Sequence, residues 1–331
     1  MTPIEFINKR NGDWQRLESL LDQLENRMDF FSQAGQWIEF ARLYRAVSTD
    51  LSLSDVYRLS TGSREYLQDL VGRSHSVLYS FSRSRLRNLA TYLSHFIPRR
   101  VFADVYVWIC QIAFFGTFFI SGYISWQTPD FAVSVVGESM IEQIQEMHLD
   151  RNDHSPADKI AASAWYVFNN GSIDLQTFIL GILGGIGSLV SVLFNGIFIG
   201  AIIGYLLSGP AAANITCWIT GHAVFELYAI GLSAGAGLRI GYAFIAANGR
   251  SRLLALQEEA RNAVPIIGIA VTLTILAGFI EAWLGPMPCG SGWSRIWLVK
   301  LAVMSLSLFF VISYFYILGF LRYRAESLRP K

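Results

Sequence analysis

Residues 174 to 207, DLQTFILGILGGIGSLVSVLFNGIFIGAIIGYLL, form an apolar run that, as one straight helix of about 34 residues, would reach ~51 Å and overshoot the ~30 Å of hydrocarbon in a bilayer. It must bend, break or cross twice, because Ile197, Phe198, Ile202 and Ile203 would otherwise stand in water. Gly181, Gly184, Gly185, Gly187, Gly196, Gly200 and Gly204 supply both break points and surfaces on which another helix can approach closely. A break is expected between Gly181 and Gly187, or at Asn195 and Gly196, where the amide can satisfy freed backbone groups. Half-helix ends at the break would then point into a polar cavity.

The rest of the chain follows the same logic. Apolar residues make up 53% of it and charges only 15%, with the charges crowded outside the hydrophobic blocks, which describes an all-α, polytopic helical membrane protein. Spans are expected at about 104–126, 174–207, 212–246, 265–284 and 294–320, giving about five to six membrane-spanning or re-entrant segments within a domain covering 103–321. Residues 1–102 form a separate polar part, whose Trp14, Leu17, Leu20, Leu21 and Leu24 recur at helical spacing; the rhythm returns in WIEFARLYRAV and YLQDLVGRSHSVLYSF, so a small bundle of amphipathic helices is expected. The polar, acidic first residues predict no cleaved signal peptide. A formal net charge of +1, and the lack of zinc-finger or P-loop spacing, argue against a nucleic-acid partner. Three cysteines, Cys110, Cys217 and Cys289, are too few and too scattered for a disulfide framework or a cysteine metal cluster.

Arginines orient the chain. Arg83, Arg85, Arg87, Arg99 and Arg100 precede the first span and place the N-terminal helices in the cytoplasm, and Arg322, Arg324 and Arg329 place the tail, 322–331, there too. The acidic stretch 127–172 then reads as an extracytoplasmic loop, in which FAVSVVGESMIEQIQEM has helical spacing and can lie along the outer surface. Beginning and ending inside requires an even number of crossings, so 174–207 is expected to cross twice or to pair with a re-entrant half-helix. The expected location is a bacterial cytoplasmic (inner) membrane, with the lipid bilayer as the first partner.

Ionisable residues within the spans mark the candidate site. His222 and Glu226 lie four apart in TGHAVFELYAIGLSAGAGLRIG, on one helix face, and Glu281 stands in LAGFIEAWLG; such groups cost roughly 2.5 to 3.5 kcal/mol in hydrocarbon, so they are expected to face one another or a watery cavity. Three readings stay open. The cluster can be a hydrogen-bonded glue between helices, joined by Asn195. It can handle protons or ions in a cavity. It can hold a divalent metal such as zinc, with Glu226 and Glu281 as candidate catalytic groups, although the spacing is H-x-x-x-E and not H-E-x-x-H, so no base stands between two ligands. Ser233, in GLSAGAG, reads as packing, and Arg239 either snorkels to the interface or pairs with a carboxylate.

The succession YVFNNGSIDL, GGIGSLVSVLFNGIFIGAIIGYL, GHAVFELYAIGLSAGAGLRIG and AGFIEAW resembles the stage II sporulation protein M family over roughly residues 105–320. The segments LYR and YLQDLV look like the N-terminal cytoplasmic extension of some members. By motif, the resemblance draws attention to Asn170, Asn195, His222, Glu226 and Glu281 as polar positions, and to Gly196, Gly235 and Gly237 as helix-packing positions. It implies an integral membrane component of a cell-envelope process, since the sporulation member belongs to a machine that remodels septal cell wall with separate hydrolase partners. The function expected is therefore that of a scaffold or transport element, with the N-terminal helices docking a protein partner and a homo-oligomer compatible with the sequence. An intramembrane, metal-dependent hydrolase is the alternative.

Overall fold

The computed structural model describes residues 2–26, 34–149, 155–246, 251–290 and 294–328, and every regular element among them is helical. The chain divides into two compact units, Met1–Tyr92 and Leu93–Lys331.

The first unit is a three-helix bundle of α1 (Pro3–Asn26), α2 (Ala34–Leu53) and α3 (Thr61–Thr91). Trp14, Leu17, Leu20 and Leu21 recur every three or four residues along α1 and form its inward stripe, meeting Phe40, Leu43 and Val47 of α2 and Leu67 and Leu70 of α3. One buried carboxylate is fully engaged: Trp14 Nε1 donates to Asp50 Oδ2 at 2.8 Å, and Arg10 pairs with the same oxygen at 2.8 Å. The side chains of Leu24, Arg83, Arg85 and Arg87 lie outside the described residues.

The second unit begins at Leu93, in a π-wound stretch Tyr92–Phe96 that leads into α4 (Ile97–Ala103), so the division falls before the expected boundary at 102. Five helices in this unit are long and apolar enough to cross a membrane: α5 (Val105–Gln127), α9 (Ile186–Ser208), α11 (Ala223–Ile245), α12 (Arg252–Leu284) and the rod from Arg295 to Ser327. That rod comprises α13 (Arg295–Phe310), a π-wound stretch Val311–Leu318 and α14 (Gly319–Ser327). Ile112, Phe119, Ile120, Phe194, Leu306 and Phe309 turn outward, the apolar exterior that a lipid-facing bundle needs.

Helices α5 and α9 run parallel and nearly touch. Gly196, Gly200 and Gly204 lie on the backbone of Phe114, Phe118 and Gly122, where any Cβ would collide. The close approach lets Ser121 Oγ donate to the Ile197 carbonyl at 2.6 Å and Ser125 Oγ to the Ala201 carbonyl at 2.7 Å, the small-residue contact by which helices associate without a hydrophobic drive.

The apolar run breaks at the first of the two expected places. α8 (Pro156–Ile179) ends in a tight turn, Leu180–Ile182, and Gly184 and Gly185 follow with φ of +67° and +82°, two consecutive left-handed residues that side chains resist. Asn195 and Gly196 instead lie within the uninterrupted α9, where Asn195 Nδ2 donates to the Ser191 carbonyl at 2.8 Å, so Asn195 mends no break. The break packs against Gly237 and Gly241, far along α11 from His222, and so does not open toward the cluster as expected.

The segment expected as an extracytoplasmic loop, 127–172, is largely helical. It holds α6 (Pro129–Val136), α7 (Glu138–Leu149) and, from Pro156, the first two-thirds of α8, which starts on a capping box between Ser155 and Asp158. α8 lies antiparallel to α12, with Tyr166 and Val167 against Gly278 and Asp174 against Thr274; it lies parallel to α11, with Phe178 against Gly237. Hydropathy hides it because its inward face is polar: Lys159, Ser163, Asp174 and Thr177 are buried.

Two further boundaries differ from expectation. The block 212–246 is split into α10 (Ala212–Ile219) and α11 by a turn at Gly221, whose φ is +129°. The span expected from about 265 starts earlier, at Arg252, because α12 runs through Pro265 without stopping. Cys217 of α10 and Cys289, 72 residues later, form a disulfide, contrary to the expectation from spacing. The fold brings the end of α12 back to α10, a proximity that cysteine spacing does not reveal.

Candidate functional site

Local backbone geometry places the three ionisable residues. The glycine turn at 221 puts His222 at the N-cap of α11 and Glu226 in its first turn, where the helix dipole favours a carboxylate. Glu281 comes from the last turn of α12. One ligand atom from each of His222, Glu226 and Glu281 lies within 4.8 Å of the others, and His222 Nε2 stands 3.8 Å from Glu226 Oε2. His222 and Glu281 are only 5% and 7% exposed, while Glu226 is half-buried.

These atoms converge without bonding. A separation of 3.8 Å is too long for a hydrogen bond. Trp218 Nε1 donates to Glu281 Oε1 at 3.3 Å, while Glu281 Oε2 is buried with no partner. An unpaired buried oxygen is costly, so the arrangement leaves a position for a partner beside Glu281. Donors on one zinc ion, at about 2.0 to 2.2 Å from it, stand roughly 3.3 to 3.6 Å apart in a tetrahedral arrangement, so a closure of about an ångström would let an imidazole nitrogen and two carboxylates share an ion.

The surroundings fix this geometry. Tyr166 of α8 stands within electrostatic reach of both Glu226 and Glu281, and its ring meets Trp218 edge-on with centroids 6.5 Å apart. Lys300 of α13 is wholly buried and donates to the carbonyls of Cys217 at 3.1 Å, Gly285 at 3.1 Å and Met287 at 2.8 Å. It ties the end of α12 to α10 where the Cys217–Cys289 disulfide also joins them. A cation is favoured at that helix C-terminus.

The other expected polar positions lie apart from the cluster. Asn170 Oδ1 accepts from Asn169 Nδ2 at 2.9 Å, and Asn195 bonds within α9. Gly235 lies against Val107, and Gly237 against Phe178 and Ser188, both at distances no side chain would allow. Arg239 pairs with carboxylates: its Nε donates to Asp104 Oδ2 at 2.7 Å and its Nη1 to Glu259, while its guanidinium covers the Tyr106 ring at 5.2 Å.

Sequence reasoning passes over four residues of this region. Lys300, in IWLVKLAVM, carries the same signal as Glu281, a lone ionisable group in an apolar stretch. Asp174 is hidden by its place at the head of the long run. Trp218 and Tyr166 give no signal, because aromatic residues are common in spans.

The model of a family described as Stage II sporulation protein M matches residues 111–286, which include His222, Glu226 and Glu281. A second family model, described as a domain of unknown function, matches residues 4–80. An uncharacterized protein of Methanocaldococcus jannaschii is 29% identical over 105 residues; the match covers 31% of this chain and 58% of that relative's length. No solved structure matches.

Proposed function

This chain belongs to the stage II sporulation protein M family, and from that premise we propose that it is an integral membrane component of a cell-envelope process whose His222–Glu226–Glu281 cluster holds a divalent cation of the zinc class. One observation carries the proposal: a buried imidazole and two carboxylates approach within 4.8 Å, yet Glu281 Oε2 has no partner. An ion satisfies that oxygen and offsets two carboxylate charges. His222 and Glu226 would hold it from the start of α11 and Glu281 from the end of α12, so the ion would clamp these two helices.

The setting favours holding over turnover. His222 and Glu281, at 5% and 7% exposure, are buried and only Glu226 is half-buried, which supports a scaffold or transport element over the hydrolase reading. Hydrolysis would need water activated at a remaining coordination position. Metal analysis of the purified chain tests the proposal. Stoichiometric zinc-class metal that is lost in Glu281→Gln supports it, and metal-free wild-type protein after reconstitution refutes it.

The proposed topology has six traverses, with α8 as the polar sixth beside the five apolar ones, so both termini face the cytoplasm. The disulfide then lies on the outer face, the oxidising side. The helices of residues 3–91 are left to dock a cytoplasmic protein partner. Reporter fusions at residue 328 and within 286–290 test this arrangement, and an externally active C-terminal reporter would overturn it.

A further inference from the structure

A second polar site lies deeper in the bundle. Asp174 of α8 is 1% exposed, and one of its oxygens, Oδ2, accepts from the Thr274 hydroxyl of α12. Its other oxygen, Oδ1, has no partner. Ser233 of α11 is fully buried beside this carboxyl, close enough for its hydroxyl to act on it, yet the two make no contact within hydrogen-bond geometry. The packing explains the meeting: one turn further on, Phe178 of α8 lies on Gly237 of α11, which brings Asp174 and Ser233 to the same level. Among the described residues no arginine, lysine or histidine forms an ion pair with Asp174, and the charged group it acts on is another acid, Glu226.

A carboxylate so placed is relieved by a positive charge, and Oδ1, which faces the Ser233 hydroxyl without a formed bond, leaves the position for one. The donors are all hard oxygens, with no imidazole or thiol, which suits an alkali cation and not zinc. We propose that Asp174, Ser233 and Thr274 form a second cation site, selective for a small monovalent ion, sodium, between α8, α11 and α12. Its position just before the broken turn at 180–185 is where discontinuous helices supply further carbonyl oxygens to ions in membrane proteins. The site uses none of the three residues assigned to the divalent ion.

Calorimetric titration of the purified full chain with sodium chloride, in a choline chloride buffer at neutral pH, tests this. Saturable sodium binding is expected in the wild type, abolished in Asp174→Asn and weakened at least tenfold in Ser233→Ala. Glu281→Gln should bind sodium like the wild type, so failure of the divalent site and failure of this one are separable. Wild-type protein that binds no sodium, or Asp174→Asn and Ser233→Ala variants that bind it unchanged, would overturn the site. So would a carboxylic acid infrared band at neutral pH that disappears in Asp174→Asn, because a proton alone would then neutralise the group. Thr274→Val keeps the test decisive if Asp174→Asn fails to fold, and the site requires it too to lose at least tenfold in sodium affinity.

Discussion

The two ends of α11 each gather a charged triad, and they are finished differently. At one end Arg239 lies between Asp104 and Glu259, donating to both, and Asp104 also caps α5 by accepting from Tyr106 N at 3.0 Å. At the other, some 17 residues or about 25 Å away, His222, Glu226 and Glu281 converge with an oxygen left over. The first triad brings its own cation, and Arg239 donates to both of its carboxylates. In the second, Lys300 donates to the carbonyls of Cys217, Gly285 and Met287, and Glu281 Oε2 keeps no hydrogen-bond partner. A completed charge network serves the fold, and an incomplete one is where a ligand enters.

That contrast sets the size of each expected effect. Arg239→Ala leaves Asp104, 1% exposed, without its counter-charge and should lower stability by about 3 to 5 kcal/mol, read by thermal unfolding in detergent. A loss below about 1 kcal/mol would show that the two triads do not differ as described. Cys217→Ser should cost about 2 to 4 kcal/mol and weaken metal binding as well, since the bridge and Lys300 hold α10, with Trp218, over the cluster. If metal affinity is untouched in that variant, the staple serves stability alone.

Packing gives a neutral reference for both ends. Gly200→Val should cost about 1 to 3 kcal/mol because its Cβ meets the Phe118 backbone, whereas Gly116→Val, with nothing within 4 Å, should cost nothing measurable, since valine is the better helix former of the two. Equal losses at the two positions would show that α5 and α9 do not approach as closely as described. In metal-free protein the smallest stability change belongs to Glu281→Gln, within about 1 kcal/mol, because the amide removes a buried charge while keeping an acceptor for Trp218.

What could be read in advance follows the physics of each signal. Hydropathy finds α5, α9, α11, α12 and the rod from Arg295, because lipid imposes apolar exteriors on them. It misses α8, whose polar face is turned toward α11 and α12, and so reads most of that helix as a loop. Paired glycines announce the turn at 184 and 185, since left-handed backbone is a local property. The i, i+4 spacing brings His222 to Glu226, but only the return of α12 brings Glu281, and nothing local foretells the Cys217–Cys289 bridge or the embrace of Lys300. Asn195 carries the motif of a site residue and instead bonds to its own helix.

The account stands or falls on whether the second triad takes a cation from outside the chain. Purified full-length protein, stripped with chelator, dialysed against zinc and analysed by mass spectrometry, measures this directly. The wild type should retain close to one ion per chain, Arg239→Lys should retain the same, and His222→Ala with Glu281→Gln should retain at least tenfold less. Equal retention by the wild type and the double variant would contradict the central claim and return His222, Glu226 and Glu281 to the role of helix contacts.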